Sequence, residues 1–150
     1  MEVINQVVPS DPAHVQEMMK PGPDGPIFMV NLLKFKDTAE YEDGRETDMT
    51  GREAYNIYGA AVGKIMQDYG GQLVFVADTT FLSLGQVEEL WDEVAIVAYP
   101  DRASLLNMSM SAEWQEASVH RTAGLKGQLN IETVLPDIPN LPDWLKAIGQ

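Results

Sequence analysis

A chain of 150 residues fits one domain, and a domain of that size buries roughly 70% of the surface its unfolded form exposes, so no covalent staple is required. Cysteine is absent, which excludes disulfides, thiolate nucleophiles, iron–sulfur clusters and Cys-based zinc sites. Ten Lys and Arg against 23 Asp and Glu leave a formal charge of -13, a field that repels nucleic acid phosphates and anionic lipid headgroups.

The start, Met1 to Val8, has no basic segment followed by an apolar one, and no run reaches the roughly 18 apolar residues of a spanning helix. The expectation is a soluble, cytoplasmic protein with neither nucleic acid nor membrane as partner. Val3 to Val8 reads as a short strand, and Asp11-Pro12 as N-cap and first residue of a short helix to about Met19. Three prolines and two glycines between Pro21 and Pro26 form a linker. Ile27 to Phe35 is apolar on both alternating faces, as in a strand buried from two sides, with Asn31 as its interruption.

Asp37 to Met49 is acidic and weakly periodic and reads as a solvated, mobile rim. Thr50-Gly51-Arg52-Glu53 has the form of a capping box and opens a long helix. Along it Tyr55, Tyr58, Val62, Ile65 and Tyr69 make one apolar stripe, closed by Gly70-Gly71. Leu73 to Leu84 and Trp91 to Tyr99 read as a strand pair. Asp101 caps a helix, Ser111 starts a second short one ending near His120 with Gly124 as a stop, and Leu125 to Val134 is the last strand. Pro136, Pro139 and Pro142 recur every third residue, so the tail is expected to be extended.

From Ile27 onward the order is strand, helix, strand, strand, helix, strand, the split βαβ arrangement of a ferredoxin-like α+β domain with an antiparallel sheet and helices on one face. The division expected is an N-terminal extension and linker over 1–23, the ferredoxin-like domain over 24–134 and a proline-spaced tail over 135–150. Because the first strand is apolar on both faces, a second copy of the chain is the economical cover for the bare side of the sheet.

Asp24 to Phe35, Gly51-Arg52-Glu53-Ala54-Tyr55 with Tyr58, Trp91-Asp92, Tyr99-Pro100 and His120 to Leu125 together resemble the domain of unknown function 1330 family, over about residues 24 to 134. The resemblance implies a dimeric α/β barrel with two sheets face to face and a pocket between each sheet and its helices. It places the chain near cofactor-independent monooxygenases, muconolactone isomerases and stress-response proteins, and it brings no agreed catalytic residue.

Among the polar residues, Asn31 must be paired in its apolar strand, either tying backbone and the dimer seam or facing a ligand. His120, at an expected helix end, is a candidate acid or base, or else a capping histidine. Arg121 suits a carboxylate or enolate, although pairing with a surface acid is the commoner use of such a residue. Tyr55 and Tyr58 bring core rings whose hydroxyls need partners, and Trp91 is a packing ring or a stacking platform. His14 and Glu17 lack a third metal ligand, and no glycine-rich phosphate loop, dinucleotide fingerprint or nucleophile elbow occurs, so no cofactor is expected.

These observations lead to one expectation of site and three of function. Asn31, His120 and Arg121 act as catalytic groups, with Tyr55, Tyr58 and Trp91 binding substrate around one pocket. The protein is expected to be a homodimer, either a cofactor-independent enzyme of monooxygenase, isomerase or lyase type on a small oxygen-bearing metabolite, a non-catalytic small-ligand binder, or a structural, stress-related dimer.

Overall fold

The structure, a computed structural model, describes residues 11–150; the strand expected at Val3 to Val8 lies outside them. Its elements in chain order are α1 (Pro12–Met18), β1 (Ile27–Phe35), α2 (Gly51–Asp68), β2 (Gln72–Asp78), β3 (Glu93–Tyr99), α3 (Arg102–Ser109), α4 (Ala112–Gly124), β4 (Leu125–Thr133) and α5 (Asp143–Lys146). The four strands form one antiparallel sheet in the order β2-β3-β1-β4, the ferredoxin-like α+β arrangement. No helix among the described residues is long and apolar enough to cross a membrane.

Local chemistry fixes the helix ends. The Thr50 hydroxyl accepts from Glu53 N at 3.1 Å while the Glu53 carboxylate accepts from Thr50 N at 2.7 Å, so the capping box closes in both directions. At the other end of α2, Gly70 takes φ +73°, a left-handed conformation that glycine adopts without steric cost. Gly71 N then donates to Met66 O at 2.7 Å and Gly70 N to Gln67 O at 3.1 Å, the two bonds of a Schellman stop. Asp101 and Ser111 cap α3 and α4 by accepting from Ser104 N and Trp114 N.

Strand register assigns the two sheet faces. Ile27 and Met29 pack with Val62, Met66, Met108 and Trp114 beneath the helices, so odd-numbered β1 residues face the helices and even-numbered ones the open side. Ile27, Leu33 and Leu125 are wholly buried, each contributing about 1.5–3 kcal/mol through burial. Helices α2 and α4 cross at Gly51 and Gly124, where a Cβ on Gly51 would lie 2.3 Å from Lys36 O and 2.4 Å from Gly124 O. That approach explains why both motifs need a glycine there.

Three expectations change. Strand β2 ends at Asp78 instead of Leu84, because Asp78 pairs with Glu93, the first residue of β3, and beyond that pair there is no partner strand; residues 79–92 form a connection, not a tight hairpin. The acidic segment is anchored: Ala39 and Tyr41 are buried with Ala54 and Ala123, and Ala39 N and Glu40 N donate to Met49 O and Ala123 O. Its charged residues point outward around an apolar footing, which is at odds with a mobile rim. The tail turns at Ile138, forms α5 and brings Gly149 against Pro26, instead of running extended.

Candidate functional site

Between the helix-facing side of the sheet and α2, α3 and α4 lies a cavity of about 1210 Å³. Its walls are apolar, with Met29, Val62, Met66, Val97, Leu105 and Met108 among them, and Val15, Met18 and Met19 of the α1 region also border it. Against these walls stand a few polar groups, the composition expected of a small-molecule site.

The polar groups lie in rows fixed by register. Across β3, β1 and β4 one row is Glu93, Leu33 and Gln128, and the next is Ala95, Asn31 and Asn130. Asn31 Nδ2 donates to Met29 O at 3.2 Å and Ala95 O at 3.3 Å, and Asn31 Oδ1 accepts from Gln128 Nε2 at 2.8 Å. Gln128 Oε1 in turn accepts from Arg121 Nε at 2.9 Å and from Arg121 Nη2. A relay thus runs from strand backbone through Asn31 and Gln128 to a guanidinium that is only 8% exposed. Hydrogen bonds to a buried charge contribute about 1.5–3 kcal/mol, more than neutral ones, so the relay fixes Arg121 at the cavity wall.

Tyr55 and Tyr58 of α2 line the same cavity. Their rings sit 5.4 Å apart, Phe35 lies 5.4 Å from Tyr55, and Trp114 meets Tyr58 edge-on at 6.4 Å, making an aromatic roof. Burial pushes both phenols up, so they remain hydroxyl donors across the physiological range. Arg121 lies close enough to counter that rise, while burial depresses its own value and the two tyrosines hold it up; arginine stays charged regardless.

Glu93 is the carboxylate of the helix-facing rows beside this roof. Arg52 of α2 bonds Glu93 Oε2 at 2.9 Å and Asp78 Oδ1 at 2.7 Å, and stacks 4.5 Å over the Phe35 ring. The Glu93 side chain is 13% exposed. Burial raises its pKa above the ordinary carboxylate value, assisted by Asp78 and opposed by Arg52.

Of the residues expected to share a pocket, Asn31, Tyr55, Tyr58 and Arg121 line this cavity, and His120 and Trp91 do not. His120 Nδ1 instead meets the Tyr41 hydroxyl at 2.7 Å in an edge-to-face pair beneath the acidic segment. Helix α4 continues to Gly124, so His120 is mid-helix and successive side chains about 100° apart leave on different sides. Arg121, for which a surface ion pair was the alternative to a role in the pocket, is buried. Trp91 precedes β3 and is buried outside the cavity, while neighbouring Asp92 bonds Phe35 N and the Lys34 ammonium, each at 2.9 Å.

Gln128, Glu93 and Trp114 had no place in the expected site. A signal for Gln128 existed, since Gln128, Asn130 and Glu132 alternate along β4 and so stand together on one face.

The fold has counterparts among solved structures. The methylated RPA0582 protein is 32% identical with a TM-score of 0.77, over 91% of this chain and 98% of that one. RPA0582 from Rhodopseudomonas palustris, a protein of unknown function, is 29% identical with a TM-score of 0.75, over 89% of this chain and 100% of its own. A DABB-family protein with a ferredoxin-like fold from Mesorhizobium loti is 10% identical with a TM-score of 0.50, over 75% and 99%, a likeness of fold alone. No curated protein matches. The family described as Domain of unknown function (DUF1330) matches residues 44–133, more than half of the chain, and the chain belongs to that family.

Proposed function

We propose that the protein is a homodimeric small-molecule binder whose cavity receives an organic ligand bearing a carboxylate or a polarised carbonyl. The observation that carries this reading is Arg121, held at the cavity wall by Gln128 and, through it, by Asn31. A buried guanidinium is costly to desolvate, and anchoring it beside an apolar space is favourable where an oxygen-bearing ligand shares its field. The Met-rich walls and aromatic roof suit an aromatic or branched carbon skeleton. Titration calorimetry of the full chain with small aromatic and branched carboxylic acids, against alcohols of equal size, tests it. The acids bind at least about tenfold more tightly, a difference of about 1.4 kcal/mol, and Arg121→Met removes the preference. Equal affinity for acids and alcohols contradicts the reading.

Support for the homodimer comes from the open sheet face. Even-numbered β1 residues, with Ile96 of β3, Phe75 of β2 and Leu129 and Ile131 of β4, share that face by register, and Phe75, Leu129 and Ile131 are 50%, 38% and 45% exposed. A contiguous apolar sheet face seeks cover, and a two-fold pairing of identical faces supplies it. Phe28, at one end of the face, is already buried, with Ile138 and Ile148 of the tail beside it. Light scattering at micromolar concentration gives a mass twice that of the chain; a monomer mass contradicts this assembly.

A further inference from the structure

We infer that Glu93 is a general acid–base in the cavity, moving a proton at the carbon next to a carbonyl whose oxygen, as it gains charge, is held by Arg121. The inference rests on the binding reading above and adds a reaction to it. It stands first on placement. Glu93 lines the cavity together with Arg121, Tyr55 and Gln128, and shares a row with Gln128, separated by Leu33 on the middle strand. Strands about 4.8 Å apart put the Cα atoms of Glu93 and Gln128 about 10 Å apart. Both side chains rise toward the helices, and Tyr55, packed over the wholly buried Leu33, is within electrostatic reach of both the Glu93 carboxylate and the Arg121 guanidinium; the three groups border the same cavity, whose apolar lining includes Met29, Val62 and Met108.

The second support is orientation. Among the described residues Arg52 bonds the Glu93 carboxylate at Oε2, and no hydrogen bond there engages Oε1, the oxygen left to take a proton. Arg52 is itself fixed by Asp78 and by stacking on Phe35, so the base is held by groups on two elements. The groups facing Glu93 are Arg52 and Tyr55 from α2 and Asp78 from β2. Burial and the Asp78 carboxylate favour its protonated form, and Arg52 opposes them. A base raised above the ordinary carboxylate range abstracts protons from weak carbon acids better than a free glutamate does.

The step balances without oxidant or cofactor. Glu93 Oε1 takes the proton, the C–H electron pair becomes the C=C bond of an enolate, and the carbonyl electron pair moves onto oxygen beside Arg121 and the Tyr55 hydroxyl. Return of the proton to the same carbon gives exchange with solvent, and return to another carbon of a conjugated substrate gives isomerisation. His120, which lies under the acidic segment, takes no part.

Proton NMR of 2-oxo acids in D2O, phenylpyruvate and 2-oxoisovalerate as probes, reads the step as loss of the signal beside the carbonyl, with calorimetry reporting binding in parallel. The full chain accelerates exchange of at least one bound probe above the buffer rate. Glu93→Gln cuts the acceleration at least 100-fold while affinity stays within about threefold, and Arg121→Met weakens binding and exchange together. In the unaltered protein the exchange rate rises with pH and levels off above the ordinary carboxylate range, a readout that needs no variant to fold. Binding without accelerated exchange, exchange unchanged in Glu93→Gln, or a rate that merely follows hydroxide overturns the acid–base role and leaves the binding reading standing. If neither probe nor any other small acid binds, the binding reading falls and this one with it.

Discussion

The two faces of one sheet carry opposite chemistry. The face under the helices holds Asn31, Glu93, Gln128, Asn130 and Glu132 in register, while the face without helices presents Phe75, Ile96, Leu129 and Ile131. In a simple two-layer domain the inward face is apolar throughout and the outward one polar, whereas here the polar rows are set among the inward core residues Ile27, Met29 and Leu33 and the outward face is apolar. Polar groups partly withdrawn from water cost free energy unless they are paired or used, and an exposed apolar face costs solubility unless it is covered. Each face therefore points to something beyond the isolated chain, a ligand on one side and a second copy on the other.

The comparison breaks most severely if the helices cannot close over the polar rows. Gly51→Ala places a Cβ against two backbone oxygens, Lys36 O and Gly124 O, and backbone cannot yield as a side chain can. It lowers stability by about 3 kcal/mol, at the upper end of overpacking effects, as urea unfolding followed by circular dichroism measures. Next comes the relay. Gln128→Leu strips two hydrogen bonds from Arg121 and one from Asn31, and destabilises by about 2–3 kcal/mol. Arg121→Met combined with Gln128→Leu costs less than the sum of the two single losses in the same assay, since both remove the same pair of bonds.

On the open face, Leu129→Glu puts one charge on each side of a two-fold pairing. It shifts the mass from dimer to monomer in light scattering at micromolar concentration, weakening association by at least 100-fold while the circular dichroism spectrum of the chain is unchanged. The smallest effect concerns pH. Glu93 has a folded-state pKa raised by burial, so its ionisation favours the unfolded chain. The penalty is absent below the ordinary carboxylate value, grows as pH rises through the window up to the raised value, and is fully present above it. In Glu93→Gln that decline is flattened, as thermal melts at successive pH values would register.

Much of the fold was legible because its punctuation is local. The Thr50–Glu53 box, the Gly70-Gly71 stop and the Asp101 and Ser111 caps each satisfy backbone groups within a few residues, so sequence carries the whole interaction. The site was legible only in part. Asn31 stood out as a polar residue in an apolar strand, and Tyr55 and Tyr58 followed from helical spacing. His120 and Arg121 are adjacent in sequence, yet on a helix adjacency separates side chains, and only the full extent of α4 decides which one meets the sheet. Glu93 and Gln128 are hidden in the sequence because a polar residue in an alternating strand reads as solvent-facing, and which face is solvent is settled by how α2 and α4 lie across the sheet. The anchored acidic segment was hidden for a similar reason, since Ala39 and Tyr41 reach their pocket through contacts with Ala54 and Ala123, far along the chain.

The cavity as an anion-reading ligand site is tested most directly by a crystal structure of the protein grown with saturating phenylpyruvate. The account predicts the carboxylate or carbonyl oxygen within hydrogen-bond distance of Arg121 and the ring beneath Tyr55 and Tyr58. A cavity that stays free of ligand at saturation, or a ligand seated elsewhere with Arg121 untouched, would contradict it.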